Sequence, residues 1–299
     1  MHIFAIIILA NVGDRVINFH KFGFLDAKKL YNYTINKDIW IREFNPCWLF
    51  IWSDLYKPEI AFFNQYVFIR VYVPQIGICY YPPFGSGTIE EGLRMILADC
   101  KAMGLDYNIF ALDDNTNRYL KTMNYKTYLM PSYNDYIYSI DDVMRKYLKK
   151  SQALKFEKNH KNLFYKKVKK EDFPIILEYV ESYHQSHLSE LDSNYFKMLN
   201  ALKIIMNHLY EFDLLGIILC DEENIYGVAF GSFMNNTAYL ELIFTNSEIG
   251  CFEECLIAYL NEALLKAKYL NTNFDLFKKY MPIEIAHCYS TINIEEVKE

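Results

Sequence analysis

The chain runs through one order of secondary-structure elements twice, and this repetition limits the folds open to it. In the first half, three runs rich in β-branched and aromatic residues come close together and predict neighbouring strands. These runs are residues 59–63, 66–73 and 76–81. A turn with prolines and glycines at 82–87 follows, then a helical pattern, and then a strand pattern at 107–112.

The helix of the first half carries signals at both ends. Thr88 and Glu91 form a capping-box pattern, and Gly104 suits the C-terminal stop. Apolar residues recur between them at helical spacing, so the sequence predicts an amphipathic helix from about Thr88 to Gly104.

The second half has the same order. Its three strand patterns are residues 214–220, 225–233 and 238–244. A loop then reaches Gly250, a helix ends near Lys268, and a further strand is predicted near 271–276. Three strands joined by tight turns, followed by a helix and a strand, predict an α/β (α+β) unit whose mixed antiparallel and parallel sheet is flanked by helices. No linker rich in Pro or Gly separates the halves, so we predict two packed domains, 1–139 and 140–299.

Positive charge is concentrated in one segment. Between Arg145 and Lys170 there are eleven Lys or Arg residues and a single acid, Glu157, although the whole chain has a net charge of −6. A solvated helix face explains such a run in many proteins, and an anionic ligand is the alternative. A general nucleic-acid binder is the weaker interpretation because the chain as a whole is acidic.

Four segments resemble one bacterial protein family. An aromatic strand at 136–138 leads into a helix opening with Asp141 and Asp142, and then into Lys158-Asn159-His160. The other three segments are CWLFIWSDLY at 47–56, YYPPFGSGTIEEGL at 80–93 and YLNTNFDLFKKYMP at 269–282. Together they are similar to proteins related to the phosphatidylglycerol lysyltransferase C-terminal domain.

The resemblance implies two tandem GNAT-like units and an acyltransferase or aminoacyltransferase. Its donor would be acyl-CoA or aminoacyl-tRNA, its acceptor an amine or hydroxyl on a small or lipid-like molecule, and no metal is expected. If tRNA is the donor, the basic segment would meet its phosphates and binding would weaken steeply with salt. A non-catalytic ligand-binding protein of the same fold is the alternative.

The resemblance also implies site residues. The catalytic candidates are His160 and Tyr280, the latter as a general acid at the leaving group. The substrate-binding candidates are Lys158, Asn159, Asn271, Asp275 and Lys278. Thr272 and Asn273 replace the arginine and acidic residue of relatives, and Lys158 replaces an arginine, which favours a different ligand or reduced catalysis. Asn159 and His160 have a structural alternative, in which they hold their helix against the sheet by hydrogen bonds.

Donor phosphates need a cradle, and the turn before the second-half helix is the natural place. Free N–H groups at a helix N-terminus favour anions, and Gly250 allows a close approach of the backbone. We therefore predict donor contacts from Thr245, Asn246, Gly250 and Cys251, with a purely structural turn as the alternative. The corresponding turn of the first half, 85–88, is a second possible cradle. Glu241, on the strand leading to the loop, is the candidate for orienting or deprotonating an amine.

The remaining features bear on the compartment. Seven cysteines occur without a CxxC pair, which predicts free, mostly buried thiols in a reducing cytoplasm. The apolar start, 3–10, is too short to span a bilayer and lacks a positively charged leading region, so a buried strand or an extension is predicted there. His184 and His187 are three residues apart but lack an evident third metal ligand, and we interpret them as surface or interface residues.

Overall fold

The computed structural model describes residues 17–34, 41–74, 76–150, 152–160, 162–186, 192–272, 277 and 282–291. The chain divides into two compact units, one formed by 1–134 with 286–299 and the other by 135–285. These units differ in extent from the predicted halves. Residues 135–139 pair with a strand of the second unit, and the C-terminal segment pairs with the first.

The first unit holds a sheet of short antiparallel strands, several helices and a small second sheet. Its strands are β1 (His20–Lys21), β2 (Glu59–Phe63), β3 (Tyr66–Val73), β4 (Gly77–Tyr80), β5 (Phe84–Gly85) and β6 (Tyr128–Leu129). Its helices are α1 (Phe24–Thr34), α2 (Pro46–Ile51), α3 (Ser53–Tyr56), α4 (Ile89–Met103) and α5 (Asp114–Thr122). The main sheet has the order β1-β2-β3-β4, with β5 paired to the start of β3.

Helix α4 confirms the predicted capping. The Thr88 side chain accepts a hydrogen bond from the Glu91 backbone N–H, and Gly104 closes the helix with φ 64°. Leu93, Ile96 and Cys100 are buried against the sheet. After the helix, Ile109 forms a parallel bridge with Tyr80, so the predicted combination of antiparallel and parallel pairing is present in this unit.

The glycine-rich turn of the first unit is filled by protein atoms. A Cβ on Gly85 would lie 1.9 Å from the Gln65 carbonyl oxygen, and one on Gly87 would collide with the Tyr66 ring. The Tyr66 hydroxyl donates to a Glu91 carboxylate oxygen at 2.8 Å, at the N-terminal turn of α4. These glycines therefore allow close packing around Tyr66, where the sequence offered an anion cradle as an alternative.

The second unit is built on one large sheet covered by helices. Its strands are β7 (Asp135–Ser139), β8 (Phe164–Lys167), β9 (Leu214–Cys220), β10 (Ile225–Met234), β11 (Thr237–Thr245), β12 (Tyr269–Thr272) and β13 (Glu284–Ala286). Its helices are α6 (Ile140–Lys150), α7 (Ala153–Asn159), α8 (Phe173–Ser186), α9 (Asp192–Asn207) and α10 (Cys251–Ala263). The last strand, β14 (Tyr289–Ser290), pairs with β6 of the first unit.

The sheet of the second unit has the order β13-β7-β12-β11-β10-β9-β8. Strands β9, β10 and β11 are antiparallel, whereas β11 and β12 run parallel. This is the mixed pairing that the sequence predicts. Helix α10 covers the sheet with Cys255, Leu256, Tyr259 and Leu260, all nearly inaccessible to solvent, and their burial is the main stabilising term for this layer.

All seven cysteines are free and buried, which confirms the predicted thiol state. Within the described ranges, no helix combines the length and the apolar character needed to cross a membrane.

Candidate functional site

The loop between β11 and α10, where donor contacts are predicted, is ordered by its own side chains. Asn246 accepts a hydrogen bond from the Glu248 backbone N–H through Oδ1 at 3.1 Å. Its own N–H donates to the Tyr226 carbonyl at 2.9 Å. Such an Asx turn fixes the loop without help from a ligand.

Gly250 lies at the N-cap of α10 with φ 95°, a backbone conformation that favours glycine. A Cβ at this position would lie 2.2 Å from the Gln152 carbonyl oxygen and 3.0 Å from the Phe156 Cβ. Glycine is required here because helix α7 and the residue before it approach the turn closely. The close approach that the sequence assigned to a donor is thus made by the chain itself.

His160, a predicted catalytic residue, connects the end of α7 to this loop. Its Nε2 lies 2.7 Å from Glu248 Oε2. The imidazole ring packs against Phe156 and Tyr226, with centroid distances of 4.2 and 4.6 Å. This arrangement agrees with the structural alternative for His160, and its catalytic role stays a prediction.

The electrostatics around the N-terminus of α10 are acidic. Glu248 precedes the helix, and Glu253 and Glu254 lie in its first turn. Glu254 and Glu157 line one cavity of about 320 Å³ together with Leu163 and the exposed ring of Phe164. Burial, and secondarily the Glu157 charge, raise the pKa of Glu254 to about 7. Carboxylates at a helix N-terminus compete with a bound phosphate for the same N–H groups.

We expect the stability of the protein to fall as pH rises through neutrality, because of Glu254. Its folded pKa of about 7 lies above the ordinary value of 4.5, so between these values the folded protein binds more protons than the unfolded chain. The contribution present below about pH 4.5 is therefore lost as pH rises to about 7, by about 1–2 kcal/mol after allowance for solvent screening.

Chemical denaturation at pH 5, 6, 7 and 8 measures this loss. Glu254→Gln should flatten the pH dependence, whereas Glu253→Gln, on the same helical turn, should leave it unchanged. An identical slope in wild type and Glu254→Gln would contradict the assignment.

Cys251 is held as a neutral thiol. Its Sγ contacts the Tyr226 carbonyl oxygen at 3.2 Å, and the side chain is fully buried. Burial raises the pKa of the thiol to about 12. Cys251 can offer its backbone to a ligand, but its sulfur is not a nucleophile at neutral pH.

Glu241 lies at an irregularity of the sheet. In the β10–β11 ladder, Phe230 pairs with Leu242 and Gly231 with Leu240, so Glu241 is the extra residue of a β-bulge. Its Oε1 accepts a hydrogen bond from the buried Ser232 hydroxyl at 2.7 Å. Bulges redirect side chains and occur often beside active sites.

A buried hydroxyl lies under this bulge. Tyr259 of α10 is fully buried, and its hydroxyl would lie 1.9 Å from a Cβ placed on Gly231. Among the described residues this hydroxyl has no hydrogen-bond partner. Burial, and secondarily the Glu241 charge, raise the pKa of Tyr259, so the group is a neutral donor at physiological pH.

Within the described residues, β11 pairs in parallel with β12 through Thr237, Ala238 and Tyr239. The bulge at Glu241 lies two residues further along β11, and the strand then continues to Thr245 and the loop before α10.

The predicted site residues thus fall into two places. The first place is Tyr226 and the loop before α10, which are surrounded by His160, Asn246, Gly250 and Cys251. The second place is Glu241 on β11, which lies four residues before Thr245, about 13 Å from it along an extended strand. Lys158 and Asn159 are exposed on α7.

The remaining candidates are on or beyond β12. Asn271 and Thr272 are buried there, and Thr272 Oγ1 lies 3.4 Å from the Tyr136 carbonyl. Tyr280, Asp275 and Lys278 lie outside the described residues, as do Asn273, His187 and the apolar start.

The sequence analysis missed Glu248, Tyr226 and Tyr259. Glu248 had a local signal, because Asn-x-Glu before a helix is typical of an Asx turn. The two tyrosines had none among the 26 in the chain, since their roles depend on contacts distant in sequence.

Several cations of the basic segment form ion pairs within the chain. Lys166 pairs with Asp172 and Lys167 with Glu262, both at 2.6 Å, and Arg145 pairs with Asp142. Lys155 and Lys158 are exposed and, in the part of the chain that the structure describes, have no ion-pair partner. Among the described residues these two lysines of α7, with Lys170, are the cations of the segment outside any ion pair.

The second unit has three antiparallel strands, a helix and a parallel strand, and the first unit follows the same order with a parallel bridge at Ile109 in place of the last strand. This is the mixed α+β arrangement of a tandem GNAT-like fold. No protein-family model matches the chain, and neither does any curated protein. Solved structures do match. A conserved protein of unknown function from Bacteroides thetaiotaomicron is 17% identical with a TM-score of 0.79, covering 92% of this chain and 99% of that one.

Two further structures tie the fold to the predicted resemblance. The C-terminal domain of an Agrobacterium fabrum protein described as a lysylphosphatidylglycerol synthetase matches with TM-score 0.58 and 8% identity, over 92% of this chain and 94% of that one. L-PGS from Bacillus licheniformis matches with TM-score 0.58 and 10% identity, over 91% and 92%. At such identities the likeness concerns the fold, and at that level the resemblance is confirmed.

Proposed function

We propose that the second unit is a group transferase that moves an aminoacyl group from aminoacyl-tRNA to an amine or hydroxyl acceptor. The observation that supports the proposal is the β-bulge on β11, whose extra residue is the acidic Glu241. In this proposal Glu241 orients or deprotonates the attacking group, and Ser232 holds the carboxylate in place.

The surroundings of the α10 N-terminus favour an aminoacyl ester over acyl-CoA. Glu248, Glu253 and Glu254 oppose the pyrophosphate of CoA, and Gln152 already occupies the close approach to Gly250. An aminoacyl ester carries an ammonium group, which carboxylates attract. The name of the Agrobacterium fabrum protein, a lysylphosphatidylglycerol synthetase, also refers to a product that carries a lysyl group.

Thermal-shift titration with aminoacylated total tRNA, uncharged tRNA, CoA and acetyl-CoA, each at 50 and 200 mM salt, tests the donor, because a ligand of the native state raises the apparent stability. We expect stabilisation by tRNA that falls with salt, strongest when the tRNA is aminoacylated.

The double variant Lys155→Gln/Lys158→Gln should reduce the salt dependence by roughly two phosphate contacts. Lys101→Gln/Lys126→Gln, with the same change in charge in the first unit, should not. Stabilisation by acetyl-CoA instead would overturn the choice of donor.

A non-catalytic binding protein of the same fold is the second candidate. It is favoured by the covered turn at Gly250 and by the His160–Glu248 contact, which both use predicted donor residues for internal packing. Mixing lysyl-tRNA carrying radiolabelled lysine with ethanolamine or with phosphatidylglycerol vesicles separates the two. Donor binding without movement of the label supports the second candidate.

A further inference from the structure

The first unit contains a cavity of about 550 Å³ that the proposed function does not use. It lies where β2 begins at Glu59 and β3 continues past Arg70, and residues of α3 and of the segment after it complete the lining. Its volume lies in the range of small-molecule sites, roughly 300–1,000 Å³. The cavity consists of residues of this unit alone.

One wall is polar and rigid. Arg70 Nη2 lies 2.7 Å from Glu59 Oε2, and the guanidinium group lies 4.4 Å from the centre of the Phe19 ring. Arg70 Nη1 also lies 3.6 Å from the fully buried carboxylate of Asp99. The charge of Arg70 is thus balanced within the protein, and this wall supplies a fixed surface.

Two exposed cations lie at the mouth of the cavity. Lys21 and Lys57 line it, and in the described part of the chain neither has an ion-pair partner. Asp54 is the exposed acid of the lining, and Arg70 lies between Glu59 and the buried Asp99, so the charges at and behind the cavity sum to zero. The exposed ammonium groups of the two lysines are therefore the local feature that suits an anion.

Lys57 is also held in an unusual conformation. Its φ of 43° and ψ of 51° are left-handed, and most of the other non-glycine residues with positive φ are asparagines, which tolerate this region. Lys57 forms the C-cap of α3, where the left-handed conformation is common, and its N–H donates to the Ser53 carbonyl at 2.8 Å. Pro58 follows Lys57 and restricts the backbone immediately before β2 begins at Glu59.

The rest of the lining is apolar and partly exposed. Tyr72 and Ile78 are cross-strand partners on β3 and β4, with 45% and 38% of their surface exposed, and both face the cavity. The apolar part of an organic anion would cover Tyr72 and Ile78 while its charged group reaches Lys21 and Lys57.

We propose that this cavity binds a small organic anion, a carboxylate or phosphate monoester with an aromatic or aliphatic body. The anionic group contacts Lys21 and Lys57, and the body packs on Tyr72 and Ile78. The proposal is independent of the transferase assignment, since it concerns residues of the first unit only.

Two probes of equal size and opposite charge test the charge preference: 4-phenylbutyrate and 4-phenylbutylamine. Isothermal titration and amide chemical shifts should show binding of the acid, and of 4-phenylbutyl phosphate, but not of the amine. Which of the two anions binds more tightly distinguishes a carboxylate site from a phosphate site. Equal binding of acid and amine, or binding of neither anion, would overturn the proposal.

Variants locate the site. Lys21→Gln/Lys57→Gln should weaken binding of the anions at least about tenfold, as expected for the loss of a charge-assisted hydrogen bond. Lys101→Gln/Lys126→Gln should not change it. Lys57→Gly should weaken binding and also raise the melting temperature, because glycine adopts the left-handed conformation without strain. Unchanged affinity in the Lys21/Lys57 double variant sinks the assignment.

Discussion

Replacing Gly250 by alanine should lower the free energy of unfolding by about 2–5 kcal/mol, the sum of left-handed strain and overpacking against α7. The added Cβ would lie 2.2 Å from the Gln152 carbonyl oxygen, a backbone atom that cannot move without shifting the start of α7. Urea denaturation followed by circular dichroism measures the loss.

Gly104→Ala is the matched control for this prediction. Gly104 also has a positive φ, 64°, but a Cβ there meets no atom within 4 Å. Only the strain remains, about 1–2 kcal/mol. If Gly250→Ala is as stable as the wild type and instead loses donor binding, the turn contacts the donor and our structural interpretation is wrong.

The second large effect that we expect is a loss in the rate of aminoacyl transfer when Glu241 is substituted. If it is the base of the transfer reaction, Glu241→Gln should slow transfer of the aminoacyl group by about 10²–10⁴-fold, since the amide cannot accept the proton. Stability should change little, because the amide oxygen can still accept the hydrogen bond from Ser232. Single-turnover transfer of labelled lysine from lysyl-tRNA to ethanolamine gives the rate, and thermal denaturation monitors the fold.

Glu223→Gln provides the control, because Glu223 is exposed in the turn between β9 and β10 and makes the same change in charge. It should retain the wild-type rate. A Glu241→Gln protein that transfers normally but melts at a lower temperature would show that the carboxylate stabilises the sheet and takes no part in the transfer reaction.

Ser232→Ala should show a smaller loss of rate than Glu241→Gln, because it affects only the orientation of the carboxylate.

The elements that the sequence predicted best are those whose signals are local. The capping of α4 by Thr88 and its end at Gly104 depend on residues within one helix, and both were found. The order of strands, turn and helix was likewise predictable from periodicity, but residues 107–112 form only isolated bridges at Ile109 and Leu112, and α10 ends at Ala263 and not near Lys268. The parallel partner of β11 followed from the need to cross over the sheet with a helix.

Features that depend on distant contacts were not predictable. The role of Gly250 depends on Gln152, about a hundred residues earlier, so its glycine could not be distinguished from a phosphate-loop glycine. The bulge at Glu241 depends on the register between β10 and β11. The ion pairs of the basic segment were not predictable either, because Lys167 pairs with Glu262 on a different element.

The return of the C-terminal segment to the first unit has a consequence for synthesis on the ribosome. Leu112 and Tyr289 exchange backbone hydrogen bonds at 2.9 Å, and the Thr291 hydroxyl accepts one from the Ile109 N–H at 3.0 Å. These contacts cannot form until residues 289–291 have emerged. The first unit to be translated is therefore the last to be completed, and pairings between residues so far apart in sequence form slowly. Chains released early would carry an unfinished first unit that retains an unpaired edge at Tyr128–Leu129.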